Sequence, residues 1–272
     1  MPNNALQQYS LYRKLHDLPE DPTLRPFEEF LSHSETYDAI EFSQKFAKDG
    51  GQFTLNPQRY TLWKYRFDSK NDAGFLRGGF HCFEEMAKGT AAAAAENRFS
   101  GISLQIPGAE IRYVCMGVEM HRAYEASRLK LYAGYRSQSP PFLPFICRAE
   151  LDLTGRWKMD SYEGVPLSDS RIRVLTRGWP PGLLSKEILF FAYAQAGRIH
   201  FKIGSAGTGP VIALLQALTG EDPLVMEHCR SMIQNDFRFW VLTLREREMP
   251  ENRIQNFTIY YRHTSAVEAS TR

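Results

Sequence analysis

Residues 187–204 read EILFFAYAQAGRIHFKIG, and this stretch decides the fold. The side chains of its second half alternate in polarity, with Ile199, Phe201 and Ile203 against His200 and Lys202. Because successive side chains of a β-strand point to opposite faces, the alternation predicts a strand with one apolar and one polar face. A tight-turn signal at residues 196–197 precedes it, so the stretch is predicted to be an antiparallel hairpin.

The same arrangement of strand, turn, strand and helical stretch recurs five times along the chain. Strand pairs are predicted at 37–46 with 58–67, 111–121 with 128–135, 147–164, 187–204 and 237–263. The predicted helical stretches are 5–17, 24–33, the alanine-rich 81–98, and the segments GPVIALLQALTG and PLVMEHCRSMIQND. Strand pairs that alternate with helices argue against a parallel doubly wound sheet. We therefore predict an α+β fold, a ten-stranded antiparallel β-barrel surrounded by helices, since closure removes exposed edges.

Composition sets the class of protein. With 272 residues, of which 43% are hydrophobic, the chain is long enough to bury a sizeable core. We expect one domain over 1–272, with an N-terminal helical segment at about 1–33. A net charge of +2 gives no global attraction to nucleic acid or to a membrane.

The cysteines and the N-terminus indicate the compartment. The four cysteines form no CxxC pair and are typical of reduced thiols in a cytosolic protein: Cys82, Cys115, Cys147 and Cys229. No apolar run approaches the roughly 18 residues of a membrane span, and the N-terminus lacks an apolar signal core. We expect a soluble, cytoplasmic monomer.

The polar faces of the second strands indicate a ligand. If helices cover the apolar faces, the polar faces line the lumen of the barrel; the alternative is that they meet water on a half-exposed sheet. A ring of cationic and phenolic side chains around a common centre suits a polyanion such as pyrophosphate. The members of this ring are Arg59, Lys130, Tyr162, Lys202 and Tyr260.

Four segments carry a resemblance to a known family. The stretches PFEEFLSHSETYDAIEFSQKF, RAELDLTGRWKMDSYEGV, ILFFAYAQAGRIHFKI and NRIQNFTIYYRH resemble the corresponding parts of the cyanobactin prenyltransferases. The resemblance spans about residues 25–263, in pattern more than identity. It implies the αββα barrel, cytosolic location, and transfer of an isoprene unit from dimethylallyl diphosphate to a side chain of a ribosomal cyclic peptide. It also implies that the five residues of the ring hold the diphosphate, and that Mg²⁺ is carried mainly on the diphosphate.

Glu41 is the candidate for proton removal. Its neighbours Ile40 and Phe42 are apolar, so the alternation turns Glu41 inward. The resemblance implies that this glutamate is the general base toward the acceptor. No DDxxD-like aspartate pair is present in the sequence, which argues against metal-bridged isoprenoid synthase chemistry. We name no protein ligands to a metal.

The isoprenoid pocket and the acceptor site are predicted more loosely. Bulky residues that could close the pocket and favour a five-carbon donor are Trp240, Phe190 and Phe191, with core packing of the tryptophan as the alternative. Acidic residues near the site are Asp38, Glu119 and Asp160, although strict alternation turns Asp38 away from Glu41. Several carboxylates would hold a guanidinium well, which favours arginine N-prenylation over tyrosine O-prenylation. The alternative is that Glu119 and Asp160 pair with Lys130 and Lys158 and neutralise the lumen.

Two other classes of function remain open on the sequence. One is an αββα prenyltransferase that acts on a small aromatic metabolite, which would need the diphosphate cluster but no peptide. The other is a non-catalytic barrel that binds lipids or anionic metabolites, in which Glu41→Gln would alter affinity alone.

Overall fold

The structure is a computed structural model that describes residues 5–15, 25, 28–29, 38–66, 109–121, 128–137, 144–152, 156–177, 179, 188–205, 208–246 and 254–263. The helices within these ranges are α1 (Ala5–Leu15), α2 (Ser170–Leu175), α3 (Thr208–Thr219) and α4 (Pro223–Gln234). The strands are β1 (Asp38–Asp49), β2 (Gln52–Arg66), β3 (Ala109–His121), β4 (Arg128–Ser137), β5 (Pro144–Asp152), β6 (Trp157–Val165), β7 (Ile188–Gln195), β8 (Arg198–Ser205), β9 (Phe237–Arg245) and β10 (Asn256–His263). The mixed α and β class is confirmed.

Each strand pairs antiparallel with its neighbours in the chain. In addition β1 pairs with β10, with Ser43 opposite Tyr260, so the hydrogen-bonded order returns to its start as a closed barrel. The predicted strand pairs are all present among the described residues. The alanine-rich helix predicted at 81–98 and most of the second N-terminal helix, as well as the turns expected near Thr154 and Pro250, lie outside the described residues.

The first hairpin differs from its prediction. A connection of about eleven residues was expected between 46 and 58, but β1 and β2 run on to a tight turn at Gly50 and Gly51. Both glycines have positive φ, 56° and 96°, which side-chain-bearing residues adopt only with strain. The register shifts between Gln44 and Phe46, opposite the part of β2 that contains Pro57. Proline cannot donate to the ladder and is tolerated where pairing is interrupted, so this irregularity accounts for its place within a strand.

The second tight turn matches its prediction. Ala196 and Gly197 join β7 to β8 with φ of 48° and 75°. Alanine adopts this left-handed conformation at a cost, because its Cβ crowds the backbone.

The hydrophobic core lies between the barrel and the helices. Tyr12 of α1 stacks on Phe42 of β1 with ring centroids 4.4 Å apart, and its hydroxyl donates to Gln44 at 3.1 Å. The outer faces of β8, β9 and β10 and the inner faces of α3 and α4 supply fully buried side chains: Ile199, Phe201, Leu242, Leu244, Phe257, Ile259, Leu214, Leu215, Val225 and Met232. Helices therefore cover the apolar faces of these strands.

Asp222 fixes α4 against the barrel. Its carboxylate accepts from the backbone N–H groups of Leu224 and Val225 at 3.1 and 3.2 Å, which caps the helix, and Pro223 follows it. The other carboxylate oxygen accepts from the N–H of Phe53 at 3.2 Å. The side chain of Asp222 therefore links the beginning of β2 to the beginning of α4.

Candidate functional site

Side chains from strands that are not neighbours meet inside the barrel. The ammonium of Lys202 on β8 lies 5.9 Å from the ring centroid of Tyr132 on β4. The ring of Tyr162 on β6 meets that of His200 on β8 edge to face at 5.5 Å. Three strands separate β8 from β4 in the sheet order, so the contact between Lys202 and Tyr132 crosses the lumen, whereas Tyr162 and His200 lie on the two strands that flank β7. The polar faces therefore line the interior, as predicted.

One side of the lumen carries a chain of ion pairs, which we call the ion chain. Lys130 pairs with Glu119 and lies 3.6 Å from Glu150; Arg148 lies 3.3 Å from Glu150 and pairs with Asp160. Lys158, 3.3 Å from Asp160, ends the chain toward solvent. Arg128 lies 3.6 Å from the other carboxylate oxygen of Glu150, so the ion chain contains four cations and three carboxylates. Its members come from β3, β4, β5 and β6 because cross-strand register brings their polar faces side by side: Glu119, Arg128, Lys130, Glu150, Arg148, Asp160 and Lys158.

Arg148 connects the ion chain to the lumenal tyrosines. Its guanidinium lies 5.2 Å from the ring centroid of Tyr162, a cation–π contact. Burial raises the pKa of Tyr132 well above its usual range, and the nearby Arg148 opposes this by stabilising the phenolate. Burial raises the pKa of Tyr162 in the same way, again against Arg148. The pKa of Asp160 is held below its usual range: partial burial raises it, but the hydrogen bonds and positive charges of Arg148 and Lys158 together lower it by more.

The other side of the lumen carries three cations on adjacent strands. We call Lys202, Arg245 and Arg262, on β8, β9 and β10, the cationic wall. Glu41 of β1 pairs with Arg262, and its negative charge also acts on Lys202. Burial lowers the pKa of Lys202, and the nearby Arg245 lowers it further, while Glu41 opposes both.

Tyr260 lies within the cationic wall. Burial raises its pKa to about 12; the negative charge of Glu41 adds to this, and Arg245 opposes it. Since the phenol stays protonated at neutral pH, it is a hydrogen-bond donor for an anion.

Glu41 is fully buried and ion-paired. Its Oε2 accepts from the Nε of Arg262 at 3.2 Å, and the two side chains are 1% and 4% exposed. They face each other because Phe42 pairs with Tyr261 in the register of β1 and β10. The inward orientation predicted for Glu41 is confirmed, and its carboxylate is held in place by a neighbouring strand.

Lys202 differs from Lys130 in its partners. Lys130 lies between two carboxylates, whereas no ion pair among the described side chains involves Lys202. Within the described part of the chain Lys202 thus has no carboxylate at ion-pair distance, although the charge of Glu41 favours its protonated form. The five residues predicted to bind the anion are thus divided. Lys202 and Tyr260 lie together in the cationic wall, and Tyr162 lies close enough to Arg245 of this wall to feel its charge. Lys130 belongs to the ion chain.

The two acidic residues predicted near a guanidinium acceptor already have protein partners. Glu119 pairs with Lys130, and Asp160 pairs with Arg148 and Lys158. These ion pairs match the alternative prediction, in which Glu119 and Asp160 pair with Lys130 and Lys158. The alternative did not include Arg148, which is a second partner of Asp160.

Three arginines of the site were not among the predicted site residues. Arg148, Arg245 and Arg262 all lie on the lumenal face by the same period-two alternation that placed Lys202. The signal was present in the sequence, in RAELD, LTLR and YYRH. Other predictions fall on side chains outside the described part of the structure: Asp38, Arg59, Trp240, Phe190 and Phe191. In backbone register Phe191 pairs with lumenal Lys202 and Phe190 with Ile203, whose side chain faces outward.

The described residues contain no group of three or more histidine, cysteine, aspartate or glutamate side chains able to hold a metal ion. Within the same residues, no helix combines the length and the apolarity that crossing a bilayer requires.

Comparison with known proteins adds no assignment. No protein-family model matches the chain, and no curated protein matches it in sequence.

Proposed function

We propose that this chain is a peptide prenyltransferase with an αββα barrel, which transfers a dimethylallyl group from dimethylallyl diphosphate to a side chain of a ribosomally made cyclic peptide. The observation that carries the proposal is the cationic wall, in which Lys202, Arg245 and Arg262 lie on the lumenal faces of the adjacent strands β8, β9 and β10. A lumen of this charge suits a polyanion. The resemblance of the four sequence segments supplies the identity of that polyanion.

Departure of pyrophosphate needs fixed positive charge and hydrogen-bond donors. Lys202, Arg245 and the protonated Tyr260 provide these in a partly desolvated place, where electrostatic stabilisation of a leaving anion is stronger than in water. Arg59 and Tyr162 complete the proposed diphosphate site, whereas Lys130, which was predicted for it, is assigned to the ion chain because it pairs with Glu119. Trp240, Phe190 and Phe191 are proposed to bound a pocket for five carbons.

Mg²⁺ would accompany the diphosphate, whose oxygens are the hard ligands that this ion prefers, and would neutralise charge on the leaving group. The described lumenal carboxylates fit this arrangement, because Glu41, Glu119, Glu150 and Asp160 each pair with a protein cation and form no cage of their own.

Glu41 is proposed as the general base. It lies beside the cationic wall, and Arg262 fixes one of its carboxylate oxygens at 3.2 Å. A carboxylate that is held in a fixed orientation can accept a proton from a nucleophile bound beside it without first having to reorient.

Arginine is the proposed acceptor residue, and tyrosine is the second candidate. The guanidinium acceptor draws support from the number of carboxylates in the lumen. The tyrosine acceptor draws support from the fact that Glu119 and Asp160 already pair with protein cations. Glu41 would then be the one proposed base, and a phenol needs only one.

The test is mass spectrometry after incubation with dimethylallyl diphosphate, Mg²⁺ and cyclic peptides that differ only in one arginine, tyrosine or tryptophan. A gain of one isoprene on the arginine peptide is the expected result. A gain on tyrosine alone retains the enzyme class and refutes the arginine acceptor. Transfer to a small aromatic compound with none to any peptide refutes the peptide substrate.

Glu41→Gln tests the base. It should abolish transfer while leaving pyrophosphate affinity within a few-fold of the native value, and Glu163→Gln, at an exposed position of β6, is the matched control. If the native protein binds pyrophosphate but transfers no isoprene to any acceptor, the proposed enzyme activity is refuted in favour of a non-catalytic barrel that binds anions.

A further inference from the structure

The hydroxyl of Tyr261 is buried between the barrel and a helix. Tyr261 lies on the outer face of β10 and is fully buried, and its hydroxyl is hydrogen-bonded to Nε2 of His228 on α4. Within the described part of the chain, no second group is hydrogen-bonded to this hydroxyl. Burial raises the pKa of Tyr261 well above its usual range, so the phenol keeps its proton and can donate it to the imidazole.

His228 spans the seam that closes the barrel, which is the pairing of β1 with β10. Its imidazole meets the ring of Phe46 on β1 edge to face, with centroids 5.1 Å apart, and the ring of Tyr261 on β10 at 5.5 Å. The register of β1 shifts between Gln44 and Phe46, and that of β10 shifts between Tyr260 and Tyr261. One side chain of α4 thus contacts both strands of the seam, in each case beside an irregularity.

A proton on the imidazole would remove the acceptor of this hydrogen bond. A neutral imidazole with its hydrogen on Nδ1 accepts at Nε2, whereas an imidazolium carries N–H groups at both nitrogens. Among the described side chains the hydroxyl hydrogen of Tyr261 would then have no acceptor, and a buried donor left unpaired is unfavourable. When α4 leaves the barrel, both groups meet water instead. Opening is therefore favoured as the pH falls through about 6.5, the ordinary pKa of histidine.

Two further titratable groups beside this hydrogen bond are neutral across that pH range. Cys229, which follows His228 on α4, is buried, and burial raises its pKa to about 12. Tyr12 of α1 acts electrostatically on Tyr261, and a phenol ordinarily titrates only near pH 10 or above. Neither group therefore supplies a negative charge to an imidazolium.

The charged groups nearby lie on β1 and on α4. Lys48 is two residues beyond Phe46 on the outer face of β1, and its ammonium lies 5.6 Å from the ring centroid of Phe53. This cation disfavours a second positive charge beside Phe46. Glu227 and Arg230 of α4 are exposed and of opposite sign, so solvent screens them and their effects offset each other.

We propose that the hydrogen bond between His228 and Tyr261 is a proton-sensitive latch. While the imidazole is neutral, the latch holds α4 across the seam between β1 and β10. When the imidazole takes up a proton, the latch releases the helix. No ligand takes part in this step, so the latch stands or falls separately from the proposed function.

The test is hydrogen–deuterium exchange of the full chain, followed by mass spectrometry at about pH 7.5 and 5.0, with correction for the intrinsic pH dependence of exchange. The protection of α4 should fall by about fivefold or more at the lower pH. The internal control is α3, whose sequence TGPVIALLQALT contains no titratable side chain and whose protection should change by less than about twofold. Unchanged protection of α4, or an equal loss in α3 and α4, would overturn the latch.

Variants identify the group that takes up the proton. His228→Gln keeps an oxygen acceptor that does not titrate, so the protection of α4 should be the same at both pH values. His228→Leu removes the acceptor, and α4 should be weakly protected at both. Tyr261→Phe removes the hydroxyl that needs an acceptor, so the pH dependence should disappear here as well.

His263→Gln is the matched control. His263 is a second buried histidine, on β10, and its ring meets Phe237 rather than Tyr261. This variant should keep the native loss of α4 protection at low pH. A pH dependence that persists in His228→Gln or in Tyr261→Phe, or that disappears in His263→Gln, would refute the assignment of the latch to His228 and Tyr261.

Discussion

Lys130→Met separates a structural lysine from a ligand-binding one. Both Lys130 and Lys202 were predicted to bind the diphosphate, but Lys130 pairs with Glu119 and lies 3.6 Å from Glu150. All three side chains are less than 10% exposed, so solvent screens these pairs little. Glu150 keeps Arg148 at 3.3 Å after the substitution, which leaves the charge of Glu119 as the main loss.

The expected loss of stability is large. Removal of one partner of a buried ion pair costs about 3–5 kcal/mol, because the remaining charge is left in a poorly solvating place. For a chain of this size each kcal/mol lowers the melting temperature by about 2–4 °C, so Lys130→Met should melt roughly 10 °C below the native protein. Pyrophosphate affinity should change by less than about threefold, against about 10-fold or more for Lys202→Met.

The assay is thermal unfolding followed by circular dichroism, together with calorimetric titration of pyrophosphate at a temperature where each variant is folded. The double variant Lys130→Met with Glu119→Gln should recover part of the lost stability, because the uncompensated charge is removed with its partner. A Lys130→Met variant that melts within about 2 °C of the native protein and loses pyrophosphate affinity as Lys202→Met does would refute the division of the lumen.

Three further predictions concern single residues. Burial lowers the pKa of His263, so that below the ordinary histidine pKa of about 6.5 the unfolded chain binds more protons than the folded one. The free energy of unfolding of the native protein relative to that of His263→Gln should therefore fall as the pH drops from about 7 toward 5. Equal pH dependence of the two free energies would contradict this. The pKa values of Tyr193 and Tyr260 are raised to about 12, so absorbance at alkaline pH should retain a late-titrating component that Tyr260→Phe reduces. Ala196→Gly should stabilise by up to about 1 kcal/mol, since φ is 48° there, whereas Ala213→Gly in α3 should destabilise by a similar amount in chemical denaturation.

Period-two alternation predicted much of what defines the site. It placed the polar face of β8, with Lys202, inward and the apolar face outward, and the packing of Phe201 and Ile203 in the outer core confirms this. It also gave the inward orientation of Glu41. The turn at Ala196 and Gly197 was predictable because it stands between two clear strands, whereas Gly50 and Gly51 follow a charged stretch that hides the end of β1.

Charge pairing was beyond the alternation. Whether Lys130 lies opposite a carboxylate depends on the register between β3, β4 and β5, which brings Glu150 beside it. Alternation in the sequence predicts which face of a strand a residue lies on, but it does not predict which residue of the next strand lies beside it. The connections that set those registers include residues 122–127 and 138–143, which carry no short hairpin signal. For the same reason Arg148 could be placed on the lumenal face but not between Glu150 and Asp160.

The division of charge in the lumen follows from this register. Around one half of the barrel every cation of the ion chain has a carboxylate on the adjacent strand, and around the other half Lys202, Arg245 and Arg262 share Glu41. Buried ion pairs contribute little net stability, because desolvation offsets their attraction, so the pairing around the first half is not explained by stability alone. A single anion seated against β8, β9 and β10 would add negative charge beside Lys202 without disturbing those ion pairs. The proposed function therefore requires the polyanion to bind against the second half of the lumen.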